Sequence, residues 1–353
     1  MSSAKEYPAG ISVIICCYNS SQRLPETLKH LAAQQFSRHP GLAWEVIVVD
    51  NASTDDTSRV ASAEWNKYDL SIPLRVLYQP IPGNGHARDL GIAHVDYDFF
   101  LICDDDNWLI PDYLDLAYDI MTQNKAISGL GGCGVALCEV QPPPSWFESL
   151  KAAYAVDGQG PNPHGPISIE RGFVYTAGAM FRKSVIDDLD SKGFQKILPG
   201  RTAKSLGGSE DVELCYAIIL AGGEIHYDER LKFQHLMPPG RINWSYFKRL
   251  NHSFGITFPF LMPYKMLMMK QPDRFKRGIN WLYLTAVYLL VKDIVLQLPA
   301  SLFKGEYHRA RAGLANHLGF FTSLIENRKA VKRIYQELPR QAWIAPEFKQ
   351  DLA

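Results

Sequence analysis

No Cys-x-x-Cys pair occurs among the six cysteines of this 353-residue chain. Four of Cys16, Cys17, Cys103, Cys133, Cys138 and Cys215 lie in apolar stretches, where a free thiol behaves as a small core hydrophobe. That spacing implies neither a disulfide framework nor a zinc site. The first ten residues, MSSAKEYPAG, hold no apolar core of the kind a secretory signal needs, so a reducing, cytoplasmic compartment is expected. Net charge is lacking as well, since 37 Lys and Arg balance 37 Asp and Glu. No GxGxxG fingerprint follows the first apolar run, which disfavours an NAD-dependent oxidoreductase. Internal repeats are absent too. Near the C-terminus the apolar run Trp281–Val291 reaches eleven residues, where a spanning helix needs about 20.

The neutrality hides an asymmetry. Residues 1–240 carry 19 basic and 30 acidic side chains, a balance of −11, and residues 241–353 carry 18 and 7, or +11. One reading is an acidic site region balanced by a solvated basic tail. The other is a metal-binding half joined to a half that faces anionic material. No nucleic-acid partner is expected. Trp281, Tyr283 and Tyr288, with Arg274, Lys276 and Arg277 nearby, suit an element lying on anionic lipid with its rings at headgroup level. The alternative for the same residues is a helical subdomain packed on the rest of the protein.

What is present is organised as alternating strands and helices. Ile11–Cys17 and Val46–Val49 are apolar, β-branched runs that end in Tyr18-Asn19 and Asp50-Asn51. Between them, Leu24, Leu28, Leu31 and Ala32 recur at helical spacing. Asn51-Ala-Ser-Thr-Asp-Asp supplies cap candidates for a second helix. Leu74–Tyr78, Asp98–Cys103 and Phe173–Phe181 read as further strands, and Asp211–Ala221 as a helix stopped by Gly222-Gly223. This alternation predicts an α/β fold with a mostly parallel sheet flanked by helices. In such sheets ligands bind beyond the carboxyl ends of the strands, which brings Tyr18, Asn19, Asp50, Asn51 and Asp104–Asp106 to one crevice. The Pro- and Gly-rich segment 141–172 is expected to be a mobile lid or acceptor loop, with Trp146 and Phe147 free to stack on a sugar.

The residues that carry chemistry begin with Asp104-Asp105-Asp106 after the apolar strand Phe99–Cys103. Three adjacent carboxylates repel one another, so a divalent cation, Mg²⁺ or Mn²⁺, is expected there with the oxygens of a diphosphate. Pro82-Gly-Asn-Gly-His-Ala-Arg88 offers close backbone approach and an arginine for phosphate. Gly207-Gly-Ser-Glu-Asp-Val-Glu213 places acidic residues at the head of an apolar helix. Simple capping by Ser209 explains them, and so does a general base on a glycine-hinged loop. His235 is equally open to a structural or a ligand role.

Taken together, Ile11–Asn19, Val46–Asp55, Gly83–Arg88, Asp104–Asp106 and Gly207–Glu213 resemble glycosyltransferase family 2 over about residues 9–245. The resemblance implies a GT-A fold in residues 1–245, an inverting transfer from a nucleotide-activated sugar, and a helical extension over 246–353. It implies Tyr18 stacked on the nucleobase and Asp50 accepting its N–H. Asn19, Asn51, Asn84 and Arg88 would line the ribose and phosphates, with Asp104 and Asp105 also at the nucleotide sugar. Asp104, Asp106 and His235 would hold the metal, Asp211 would be the general base, and Glu210 would support it. The implied partners are a nucleotide-sugar donor and a glycan or lipid-linked acceptor, met at the inner face of the cell membrane. A catalytically silent nucleotide-binding protein on the same fold is the competing reading.

Overall fold

The computed structural model describes residues 6–198, 200–201, 206–304 and 306–350. They form two compact units. The first runs to Leu137 and adds Ala155–Lys192 and Gly223–Leu236. The second takes Cys138–Tyr154, Gly193–Gly222 and everything from Met237.

The first unit is built on strands β1 (Ile11–Cys17), β2 (Trp44–Asp50), β3 (Leu74–Tyr78), β4 (Phe99–Asp104), β5 (Asn107–Leu109), β6 (Ile127–Cys138), β7 (His164–Pro166), β8 (Ala179–Arg182) and β9 (Glu224–Met237). Helices α1 (Leu24–Ala32), α2 (Thr57–Trp65), α3 (Asn84–Ala93) and α4 (Tyr113–Gln123) connect its first half. The sheet order is β3-β2-β1-β4-β8-β6-β9-β5, with β7 on β9. The expected α/β architecture is present, and the four strands that lead the order are parallel. The other half is antiparallel where β8 meets β4 and β6, and where β9 meets β5 and β7.

Burial on both faces explains why β1 and β2 read as continuous apolar runs and do not alternate. Every residue of β2 is buried, and in β1 only Cys16 is part-exposed. The polar exceptions are paired: Ser12 donates to Glu45 Oε1 at 2.6 Å, and Arg75 reaches Glu45 Oε2 at 2.7 Å. Of the segment expected as a strand over 173–181, only the end is one. Gly178 turns the chain with φ 71°, and its carbonyl takes the Tyr113 hydroxyl at 2.6 Å just before β8 begins.

The second unit is largely helical: α5 (Phe147–Leu150), α7 (Glu210–Leu220), α8 (Trp244–Met268), α9 (Pro272–Lys292), α10 (Leu298–Lys304), α11 (Tyr307–Glu326) and α12 (Arg328–Glu337). Helix α6 (Lys183–Ser191) belongs to the first unit. Helices α8 and α11 touch backbone to backbone. A Cβ on Gly255 would lie 1.9 Å from the Asn316 carbonyl, and one on Gly319 would lie 2.1 Å from that of His252.

Two expectations are corrected here. Trp146 and Phe147 are buried, and therefore do not present their rings to a sugar. Trp146 packs on Phe247 at 5.1 Å and Trp244 at 5.7 Å, while Phe147 packs on Tyr154 at 5.8 Å. The second concerns the eleven-residue apolar run at 281–291, whose helix continues past Lys292-Asp293. Helix α9 passes through a π-helical turn, Asp293–Gln297, into α10. The Asp293 carboxylate is turned inward to His317 Nδ1 at 2.6 Å, so this charge does not stop the helix. Pro272–Ser301 is by length and composition apolar enough to cross a membrane, with mean hydropathy 1.5 in its most apolar window. The backbone breaks once, at Gly278, where φ is 56°.

Candidate active site

Parallel pairing sets the site. β1 is in register with β2 so that Cys17 faces Asp50, and with β4 so that Cys16 faces Asp104. Two carboxylates therefore stand at the same end of the two strands that flank β1. Tyr18 follows β1 and is 47% exposed, its ring open to solvent. Asp50 is buried, and its Oδ1 accepts the Ser53 N–H at 3.0 Å while Oδ2 accepts the Ser58 hydroxyl. These bonds fix the carboxylate at the head of α2.

The two asparagines hold loops together. Asn19 sits at φ 50°, and its Oδ1 accepts from the Thr54 N–H at 2.8 Å, tying the loop after β1 to the loop after β2. Asn51 is buried, and its amide donates to the carbonyls of Ile81 at 2.7 Å and Gln79 at 3.2 Å. Its Oδ1 accepts the Gly83 N–H at 2.7 Å. Gly83 has φ 144°, a conformation that favours glycine, and α3 begins directly after it at Asn84. Asn51 thus shapes the entry to the helix that carries Arg88. In the neighbouring loop Asp55 is held ionised. Burial pushes its carboxyl up, but hydrogen bonds from Thr57 and Ser21 outweigh that and lower it to about 2.

The three consecutive aspartates point three ways, as mutual repulsion favours. Asp104, with a side chain 34% exposed, faces the Arg88 guanidinium at 3.9 Å. Asp105 turns into α1, where Arg23 meets it at 2.7 Å, the Ser20 hydroxyl donates to it, and Thr27 Oγ1 donates to its carbonyl at 2.9 Å. Burial, with Asp106 alongside, raises the Asp105 carboxyl above its ordinary range, and Arg23 opposes that shift. Asp106 is buried, and its Oδ1 lies 3.4 Å from His235 Nε2. That meeting comes from the β5–β9 pairing, which sets Asn107 opposite His235 and lets the Leu236 N–H donate to the Asp106 carbonyl at 3.0 Å.

The expected metal ligands are therefore gathered only in part. Among the described residues, no group of three or more His, Cys, Asp or Glu side chains could hold a metal ion by itself. A carboxylate and an imidazole do meet at Asp106 and His235. That donor set fits a borderline divalent cation whose remaining ligands come from a diphosphate.

Glu210 and Asp211 lie in the second unit, at the head of α7. Ser209 does not cap this helix. It adopts φ 92°, and its hydroxyl bonds to Thr257 Oγ1 at 2.9 Å. Glu210 is buried, while Asp211 is part-exposed with Oδ1 on the Val212 N–H at 2.9 Å. One residue of the motif takes a role that sequence reasoning missed. Glu213 is buried and accepts from the Ile197 N–H at 2.9 Å, the Leu198 N–H at 2.9 Å and the Tyr264 hydroxyl at 3.0 Å. Burial raises its carboxyl above the usual range. Ser20, Arg23 and Thr27 were also missed. The hydroxyl of Ser20, directly after the Tyr18-Asn19 pair, was their one available signal.

A family model described as Glycosyl transferase family 2 matches residues 12–189. Poly(ribitol-phosphate) beta-N-acetylglucosaminyltransferase TarS of Staphylococcus aureus is 30% identical over 130 residues, 35% of this chain and 22% of the relative. Dolichyl-phosphate beta-glucosyltransferase of Homo sapiens is 35% identical over 100 residues, 27% of this chain and 31% of the relative. The chain thus spans less than a third of the length of these curated relatives. Among solved structures, mannosyltransferase PcManGT from Pyrobaculum calidifontis, in complex with GDP-Man and Mn2+, shares the fold. It aligns with a TM-score of 0.55 at 17% identity over 91% of this chain and 88% of that one.

Proposed function

The chain belongs to glycosyl transferase family 2, and from that premise we propose an inverting transfer of a sugar from a nucleoside-diphosphate donor, a UDP-sugar, to a hydroxyl of a glycan or lipid-linked acceptor. The observation that carries this reading is the register that sets Asp50 on β2 and Asp104 on β4 at the same end of the two parallel strands flanking β1, with Arg88 at 3.9 Å from Asp104. The names of two relatives specify poly(ribitol-phosphate) and dolichyl-phosphate. These support a polyol- or lipid-linked acceptor and a role in making cell-surface polysaccharide or glycoconjugate.

In this reading Tyr18 stacks on the nucleobase and Asp50 accepts its N–H. Asn84, at the first turn of α3, and Arg88 bind the diphosphate, helped by the positive end of the helix dipole. Asn19 and Asn51 hold the loops that shape the ribose and phosphate pocket, and Asp105 holds the aspartate turn against α1. Asp106 and His235, with Asp104 at the rim, would hold Mn²⁺ or Mg²⁺. Bound there, such an ion supplies neutralisation of the charge growing on the leaving diphosphate. Asp211 takes the proton of the acceptor hydroxyl as its oxygen attacks C1 of the sugar, and Glu210 holds the sugar or the helix head. General-base assistance of this kind contributes roughly 10²–10⁴-fold. We assign the enzyme to the cytoplasmic face of the cell membrane as a peripheral protein, on the +11 balance of residues 241–353.

The test is a panel of UDP- and GDP-sugars with Mn²⁺, read by thermal shift and by release of the free nucleotide. One UDP-sugar is expected to stabilise the protein, by about 2.7 kcal/mol at a hundredfold excess over Kd, and to be consumed. If no nucleotide sugar in the panel shifts the melting temperature or is turned over, the transferase reading fails.

A further inference from the structure

The helix that runs from Ile279 to Ser301 is apolar on two opposite faces. Ile279, Leu282 and Ala286 are buried in the second unit. The other face repeats Leu284, Val287, Tyr288, Val291 and Val295 at spacings of three and four, and ends on Leu296. These residues are open to solvent, with Leu284 71% exposed and Leu296 62% exposed. A soluble helix turns charged residues outward, and this one does not. Between Arg274 and Lys304 the single carboxylate is Asp293, which is fully buried and paired with His317 on the inner side. The same stretch has five cations, Arg274, Lys276, Arg277, Lys292 and Lys304. Lys276 and Arg277 are exposed at its N-terminal end.

We propose that this outer face is an in-plane docking surface for an anionic phospholipid bilayer, entering the headgroup and acyl boundary along its whole length without crossing. The proposal rests on the peripheral-membrane part of the preceding section and not on the transferase part.

Charge and packing select this occupant and this orientation. A stripe of aliphatic side chains and one tyrosine, itself free of outward carboxylates and flanked at its N-terminal end by Arg274, Lys276 and Arg277 against a single exposed Asp273, complements acyl chains beneath anionic headgroups. Spanning is disfavoured because the inner face is committed to protein. Tyr283 donates to the Leu324 carbonyl on α11 at 2.7 Å, and Asp293 holds His317 of the same helix. Helix α11 carries Arg309, Arg311 and Glu326. Taking α9 through the hydrocarbon would drag these charges with it, at a cost of several kcal/mol for each. Leu284 and Leu296 are twelve residues apart, which is about 18 Å along a helix. Lying flat, both sit at one depth of roughly 5–10 Å.

The experiment uses the full chain and vesicles of phosphatidylcholine with or without phosphatidylglycerol. Flotation should carry the protein with the anionic vesicles at low salt. The triple variant Leu284→Ser, Val291→Ser, Leu296→Ser should lower the bound fraction at least about tenfold, given the apolar surface removed. These sites face solvent, so folding should be kept, with an unchanged melting temperature as the check. Leu70→Ser, at an exposed position in the first unit, should bind like the parent. Leu284→Trp and Leu296→Trp should each be quenched, beyond the parent signal, by lipid brominated near the headgroup more than by lipid brominated deep in the chain. Three outcomes overturn the proposal. The first is a parent that stays off anionic vesicles at low salt. The second is a triple variant that binds as well as the parent, or that merely converts a dimer in solution to a monomer. The third is deep quenching at one of the two tryptophans only, which describes a spanning helix. None of these readouts depends on sugar transfer.

Discussion

Replacing Asn51 with alanine separates two accounts of this residue, a direct contact with the donor and a clamp on the loop before α3. Asn51 is buried and makes three hydrogen bonds, to the Ile81 carbonyl at 2.7 Å, the Gln79 carbonyl at 3.2 Å and from the Gly83 N–H at 2.7 Å. The two carbonyls belong to residues exposed enough for water to replace the amide, so each lost bond costs about 0.5–1.5 kcal/mol at most. Gly83 is buried, and its N–H is left without an acceptor, at about 1–3 kcal/mol. The sum is about 2–6 kcal/mol if the loop stays in place, and less if it opens locally. Urea unfolding should show this as a lower midpoint with an unchanged slope. Because Asn84 and Arg88 follow the clamp, nucleotide affinity should fall about tenfold, equivalent to about 1.4 kcal/mol. Asn51→Asp makes a sharper comparison. It keeps an acceptor for Gly83 but faces two carbonyls with a carboxylate, and should be no more stable than the alanine variant. If Asn51→Ala keeps its stability within about 0.5 kcal/mol while nucleotide binding weakens tenfold or more, the side chain touches the donor and the clamp account is wrong.

The remaining predictions concern the carboxylates. Asp106→Asn should abolish turnover and remove the stabilisation that Mn²⁺ adds in the presence of nucleotide, as measured by thermal shift. A normal rate in excess EDTA would refute the metal assignment. Asp211→Asn should lower kcat by roughly 10² or more with little change in donor affinity, and Glu210→Gln should cost less in kcat. Steady-state kinetics with the reverse ranking would move the base to Glu210. Glu213 has a folded pKa raised by burial above an unfolded value of about 4.3. Its contribution is then complete below that unfolded value and is lost as pH rises through the folded one. The stability of the parent relative to Glu213→Gln should therefore be greatest near pH 4 and decline toward neutrality. Urea midpoints whose difference stays constant over that range would contradict the buried-acid account.

The half of the protein legible from sequence is the half made by local rules. The four parallel strands and their polar ends were readable because burial on both faces writes a continuous apolar run, stopped by the residues that leave the sheet. The helix at Glu210–Leu220 was readable from its spacing and its glycine stop. What escaped depends on partners far along the chain. Trp146 and Phe147 looked free because Trp244 and Phe247, which cover Trp146, lie about a hundred residues on. The apolar run at 281–291 looked too short to span because nothing nearby foretells His317 as the partner that lets Asp293 sit inside a longer helix. The triple aspartate stood out in the sequence, and the resemblance already grouped Asp106 with His235, but the turn of Asp105 into α1 was not foreseen. Each aspartate's direction is set by a different neighbour.

The pairing of β5 with β9 has a consequence for the order in which the protein becomes competent. Asp106 and His235 are separated by 128 intervening residues and meet only through that pairing. During synthesis, β1 to β4 and the loops bearing Asp50 and Asp104 leave the ribosome well before β9 exists. A nascent chain released before about residue 237 would hold the elements of a nucleotide pocket but no imidazole beside Asp106. Closing the sheet edge is therefore a late event, because loop closure over so long a separation is slow relative to local helix formation.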